Sequence, residues 1–100
     1  MIASLGAADT EVEEALDWYK KISPALAQSF YEEFSAAITW VQSYPDAWHP
    51  IMSNVRAKRL TRFPYSVIYG KANDGKLLML ALAHQSRKPR YWNDRVKSLS

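Results

Sequence analysis

The distribution of apolar residues predicts an α+β fold, with an N-terminal antiparallel helical hairpin packed on a three- to four-stranded antiparallel sheet. Three observations carry this. Apolar residues recur at helical spacing as far as Pro45, β-branched and aromatic runs replace that period after it, and Asn73-Asp74-Gly75 supplies a hairpin turn between two of those runs.

In the first segment Val12, Ala15, Leu16, Tyr19 and Ile22 fall on one face of a helix over about residues 8–22. Asp9 or Thr10 is placed to cap it, and Glu11, Glu13 and Glu14 fall in its first turn, where the helix dipole favours acids. Ser23-Pro24 restarts the chain, since serine at the N-cap followed by proline at the first helical position is a start signal. Leu26, Phe30, Phe34, Ala37, Ile38 and Val41 make the second stripe, over about 24–43. With so short a connection the helices pack antiparallel, and Trp18, Tyr31 and Trp40 are expected in that packing or at its border.

After a loop over Tyr44–Pro50, strands are expected at Val55–Arg62, Tyr65–Tyr69 and Leu77–His84, the last apolar enough to be buried on both faces. Phe63-Pro64 separates the first pair, and Asp-Gly in the second turn allows the positive φ a tight hairpin needs. Ile2–Leu5 reads as a weak edge strand, and Lys88–Ser100 as a basic, aromatic segment with a helical turn. One domain over 1–100 is expected from the length.

The chain carries a net charge of +3, but residues 1–50 hold eight acids against two lysines and residues 51–100 hold eleven Lys or Arg against two acids. A half this basic suits a polyanion, of which nucleic acid is the commonest. There is no cysteine, so disulfides, thiolate metal sites and cysteine nucleophiles are excluded, and the cell interior is the expected compartment. No basic leader precedes an apolar run, and the longest apolar run, Leu77–Ala83, is far short of a membrane span, so a soluble protein without membrane association is expected. Two histidines, His49 and His84, without ligand spacing argue against a metal, and three glycines leave no phosphate-binding loop. No cofactor is expected.

The cations cluster. Arg56, Lys58, Arg59 and Arg62 lie on or beside one expected strand, and Arg87, Lys88 and Arg90 follow another. In a meander both groups can share one sheet face, with Tyr65, Tyr69, Tyr91 and Trp92 as stacking platforms for single-stranded bases. Arginines there would stabilise the charge that develops on a phosphate attacked by its neighbouring 2′-hydroxyl, which requires no metal. His84 is a core-edge histidine or a general base, and Tyr91 an acid or base if arginines surround it.

Glu14-Ala15-Leu16-Asp17-Trp18-Tyr19, Phe30 through Ile38, Arg59 through Tyr69, and Leu80 through His84 with Arg87, Pro89, Tyr91 and Trp92 resemble the RelE/ParE toxin superfamily over about residues 8–95. The resemblance implies a type II toxin neutralised by a cognate antitoxin that wraps its surface. RelE-like members cleave mRNA at the ribosome with a cluster of basic residues and a tyrosine, whereas ParE-like members inhibit DNA gyrase. On the RelE pattern Arg59 occupies a basic position, Ala57 stands at another, Ser66 replaces the arginine after the hairpin tyrosine, and Arg87 and Tyr91 fall near the remaining arginine and tyrosine.

The leading expectation is therefore a metal-independent endoribonuclease acting on ribosome-bound mRNA, with Arg59, Arg62, Arg87, Tyr91 and His84 catalytic and Arg56, Lys58, Lys88, Arg90 and Trp92 binding RNA. The alternative is a gyrase inhibitor without enzymatic activity. A third reading is a degenerate member that binds only antitoxin. The first requires Arg59, Arg62, Arg87 and Tyr91 to converge on one phosphate, and the second expects the bases to scatter.

Overall fold

A computed structural model describes residues 2–100. The chain runs β1 (Ala3–Ser4), α1 (Gly6–Ile22), α2 (Pro24–Ser43), β2 (Pro50–Met52), β3 (Val55–Arg59), β4 (Tyr65–Lys71), β5 (Leu77–His84) and a 3-10 helix (Asn93–Leu99). The sheet has five strands in the order β1-β5-β4-β3-β2. It is mixed: β1 runs parallel to β5, pairing Ala3 with Leu78 and Ser4 with Met79, and the other pairs are antiparallel.

The α+β class and the helical hairpin stand as the sequence predicts, and the strand count is corrected to five. Pro50–Met52, expected as loop, is an edge strand, short and bulged as an edge tolerates. β3 stops at Arg59 and not at Arg62, because Glu33 on α2 takes up the backbone N–H groups of Thr61 and Arg62 that a strand would have paired. β4 runs on to Lys71, and β5 has the predicted bounds.

α2 also starts as expected, with Ser23 Oγ accepting from Leu26 N–H and proline in the first turn. α1 does not. It begins two residues early at Gly6, with Leu5 at the N-cap and no side-chain cap. Asp9 lies within the first turn, where its carboxylate accepts from the Ser4 hydroxyl, while the Thr10 hydroxyl donates to Gly6 O.

The sheet buries both faces. Tyr65, Val67, Tyr69, Met79 and Leu82 face the helices, where they meet Ala15, Tyr19, Phe30, Ala37, Ile38 and Val41. Tyr19, Phe30 and Phe63 form an aromatic knot with ring centroids 5.2–5.3 Å apart, in tilted and edge-on arrangements. On the other face Val55, Ile68, Leu80 and Ala81 are covered by Trp92 and Leu99 from the segment around the 3-10 helix. Full burial of a side chain the size of Val55, Ile68 or Leu80 contributes about 1.5–3 kcal/mol. Leu99 closes this cover so tightly that a Cβ on Gly70 would lie 2.5 Å from Leu99 Cδ1 and 2.6 Å from Asn54 O. The β4–β5 turn is the predicted one: Gly75 has φ +86°, and Asp74 accepts from Lys76 N–H. Trp18, Trp40 and Tyr31, expected in the hairpin packing or at its border, stay outside its buried core, Trp18 and Trp40 being 61% and 53% exposed. No helix among the described residues is long and apolar enough to cross a membrane.

Candidate functional site

Strand alternation decides where the cations go. Along β3 the side chains of Val55, Ala57 and Arg59 lie on the face covered by Trp92 and Leu99, so Arg56 and Lys58 lie on the helix face. The Arg56 guanidinium donates to Trp48 O and stands 3.8 Å from Asp46, and the Lys58 ammonium sits 5.3 Å from the Trp48 ring centre. Both hold the loop before β2.

Arg62 belongs to α2. Its Nε lies 3.2 Å from Glu33 Oε1, and the same carboxylate accepts from the backbone of Thr61 and Arg62. Burial pushes the Glu33 carboxyl up, but these hydrogen bonds and the Arg62 charge outweigh it and hold Glu33 below the usual carboxylate range. The pair thus pins the β3–β4 turn to the helical layer.

On the opposite face a shallow cleft is lined by Ser66, Ala83, Gln85, Arg87, Lys88 and Arg90 among others, with Tyr91 and Trp92 at its base. Arg59 lies on the same face one strand out, paired with Ser66. Arg87 lies 3.9 Å over the Tyr91 ring, and Arg90, at φ +58°, donates to Ile51 O. Trp92, expected as a base-stacking surface, is 4% exposed and belongs to the core. Tyr65 and Tyr69, given the same expectation, face the helices, and Tyr69 donates to Pro45 O. His84 meets Tyr65 edge-on at 4.9 Å, and its Nδ1 accepts from Ser86 N–H. Among the described residues no three His, Asp or Glu side chains gather as a metal ion requires.

Tyr91 is tied down by a carboxylate whose place near the start of α1 suggests, from sequence alone, only a partner for the helix dipole. Glu11, 9% exposed on α1, accepts from the Tyr91 hydroxyl at 2.6 Å, from Arg95 Nη1 at 2.9 Å and Nη2 at 3.2 Å, and from Leu82 N–H at 3.1 Å. Arg95 also donates to Leu80 O. β1 pairs only the first part of β5, and beyond it these side chains take up the main-chain groups of Leu80 and Leu82 that another strand would have bonded. Burial, the Glu11 hydrogen bond and the Glu11 charge together push the Tyr91 hydroxyl well above the ordinary tyrosine range. Such a group does not give or take protons near neutrality. The missed signal is spacing: Glu11 lies four residues before Ala15 and eight before Tyr19, on the buried stripe.

The four residues expected to meet at one phosphate are therefore divided. Arg59, Arg87 and Tyr91 lie on the face away from the helices, Tyr91 facing Glu11 with its hydroxyl, and Arg62 is bound to Glu33.

The helical hairpin offers a different surface. Two adjoining apolar grooves share Tyr31, one lined by Ile2, Val12, Phe34, Ile38 and Met79, the other by Leu16, Pro24 and Ala27.

No curated protein matches the chain. A solved structure, the chromosomal ParDE TA system from P. aeruginosa, has the same fold, with a TM-score of 0.70 at 19% identity, over 84% of this chain and 96% of that one. The family model for the ParE toxin of type II toxin-antitoxin system, parDE, matches residues 5–89, which takes in both helices, β2 through β5 and the start of the cationic loop. The chain belongs to the ParE toxin family of type II toxin-antitoxin systems.

Proposed function

We propose that this toxin acts by binding a protein target of the DNA gyrase kind, without cleaving RNA, and that its cognate antitoxin covers the apolar grooves of the helical hairpin. The observation that carries the reading is the Glu11–Tyr91 hydrogen bond. An RNase of the expected kind needs a tyrosine free to exchange a proton beside a cluster of arginines, and here the hydroxyl is held by a carboxylate with its acidity suppressed. The division of Arg56, Lys58 and Arg62 from Arg59 and Arg87 supports the same reading, as does membership of the ParE branch. The grooves support the antitoxin assignment, since an amphipathic segment binds by setting apolar side chains into such a trough, and a type II toxin has an antitoxin to supply it.

The experiment combines the purified toxin with gyrase, ATP and relaxed plasmid, and in parallel with ribosomes translating a defined message. The expected result is loss of supercoiling with intact message, unchanged in Tyr91→Phe. Message cut on the ribosome while supercoiling proceeds, with cutting lost in Tyr91→Phe, would reverse the assignment. Tyr31→Asp is expected to weaken antitoxin binding at least tenfold and leave the effect on gyrase intact; unchanged antitoxin affinity would remove the groove from the proposal.

A further inference from the structure

The cleft on the face away from the helices has a chemistry of its own. Three cations line it, Arg87, Lys88 and Arg90, together with Ser66, His84 and Gln85, and no carboxylate does. The ion pairs of the described residues engage Arg56, Arg62 and Arg95, and none of the cleft cations. Arg59 extends the group one strand outward, at the register of Ser66 and Ala83, so the cations span from β3 to the far side of β5, about 10 Å at ordinary strand spacing. Positive charge left unneutralised in a shallow groove concentrates anions. Arg87 is further held in place by the Tyr91 ring and Arg90 by Ile51 O, so part of the ordering needed to meet a ligand is already done.

The form of the cleft selects among polyanions. Single-stranded nucleic acid is held by aromatic faces on which bases stack. Here Trp92 is buried, and the Tyr91 ring has the Arg87 guanidinium over it at 3.9 Å and that of Arg95 at 5.3 Å. The Arg87 guanidinium already takes the place over the Tyr91 ring that a base would need, while cations spaced along an open groove match a duplex backbone, which presents a phosphate charge every ~1.7 Å along its axis.

We infer that Arg59, Arg87, Lys88 and Arg90 form a site for the phosphate backbone of duplex DNA, through which the toxin binds DNA directly and without sequence preference. The site is independent of the antitoxin grooves and does not require the gyrase assignment. DNA bound here would hold the toxin on the substrate of a topoisomerase.

The test is fluorescence anisotropy of the full chain with a labelled 20-base-pair duplex of arbitrary sequence, titrated between about 50 and 200 mM salt. Four phosphate contacts give a slope of log K against log salt of about −3.6, a loss of affinity of about 150-fold over that range. Lys88→Ala, at an exposed side chain, is expected to bring the slope to about −2.7 and the loss to about 40-fold. Lys76→Ala, in the turn at the opposite end of β5, is expected to leave the slope unchanged. Absence of binding at about 50 mM salt overturns the inference, as does an equal effect of Lys76→Ala, which would mean diffuse attraction. Tighter binding of a single-stranded RNA of the same length also overturns it and restores RNA as the ligand.

Discussion

Replacing Glu11 with alanine isolates the most consequential contact in the molecule. The substitution removes the acceptor for Leu82 N–H, for the Tyr91 hydroxyl and for both terminal nitrogens of Arg95. Arg95 keeps Leu80 O but loses its counterion, and its side chain is only 22% exposed. Removing one partner of a buried ion pair costs about 3–5 kcal/mol, because the other charge stays desolvated. Against a total of about 5–15 kcal/mol for a domain, that is a large share, and at about 4–8 °C per kcal/mol it lowers the melting temperature by at least about 12 °C. Urea denaturation followed by tryptophan fluorescence reads the loss, since Trp92 is buried on the sheet face beside this cluster. A cycle of Glu11→Ala, Arg95→Ala and the double variant is expected to show a coupling of about 1–3 kcal/mol. A loss below about 1 kcal/mol for Glu11→Ala, or a cycle additive to within about 0.5 kcal/mol, would refute the description of Glu11 as a structural hub.

Other consequences follow from neighbouring contacts. Gly70→Ala drives a methyl group into Leu99 and Asn54 O and is expected to cost about 1–3 kcal/mol by overpacking, read as a lower urea midpoint; a neutral effect would mean that both Leu99 and the backbone at Asn54 yield freely. The folded pKa of Glu33 is depressed, so its contribution to stability is present above the unfolded value near 4.5 and is lost as pH falls through the folded value; Glu33→Gln should flatten the acid arm of a stability profile. Tyr91 has the opposite linkage. Its folded pKa is raised, so its contribution is complete below about pH 10 and is lost as pH climbs above it, and Tyr91→Phe should lessen the alkaline loss at a cost of about 1–2 kcal/mol near neutrality.

The parts of this fold legible in the sequence are those fixed by neighbours along the chain. Ser23-Pro24 starts α2 and Asp74-Gly75 turns the last hairpin through local geometry, so both are legible from a few residues. β1 reads only as a weak edge strand because its partner is β5, some 75 residues on, in a parallel pairing that no local pattern announces, while β2 pairs with the adjacent β3 but at three residues is too short to carry a pattern. The site divides in the same way. That the second half is basic is plain from composition, but the face each cation occupies turns on strand alternation and on carboxylates from the helices. Arg62 lies 29 residues from Glu33, and Tyr91 lies 80 from Glu11. Trp92 illustrates the cost of reading side-chain type alone: an aromatic among arginines suggests stacking on bases, whereas here it fills the sheet face above Leu80 and Ala81.

The Glu11–Arg95 contact also sets an order of events in folding. Its partners are 84 residues apart, so the loop it closes is almost the whole chain, and contacts of such long range form late. The helical hairpin lies far enough upstream to form before residue 95 exists, and until Arg95 docks Glu11 is a carboxylate without its counterion and the edge of β5 lacks the donor to Leu80 O. The folding toxin therefore passes through an interval in which its sheet edge is open to pairing with another chain, and the docking of Arg95 ends that interval.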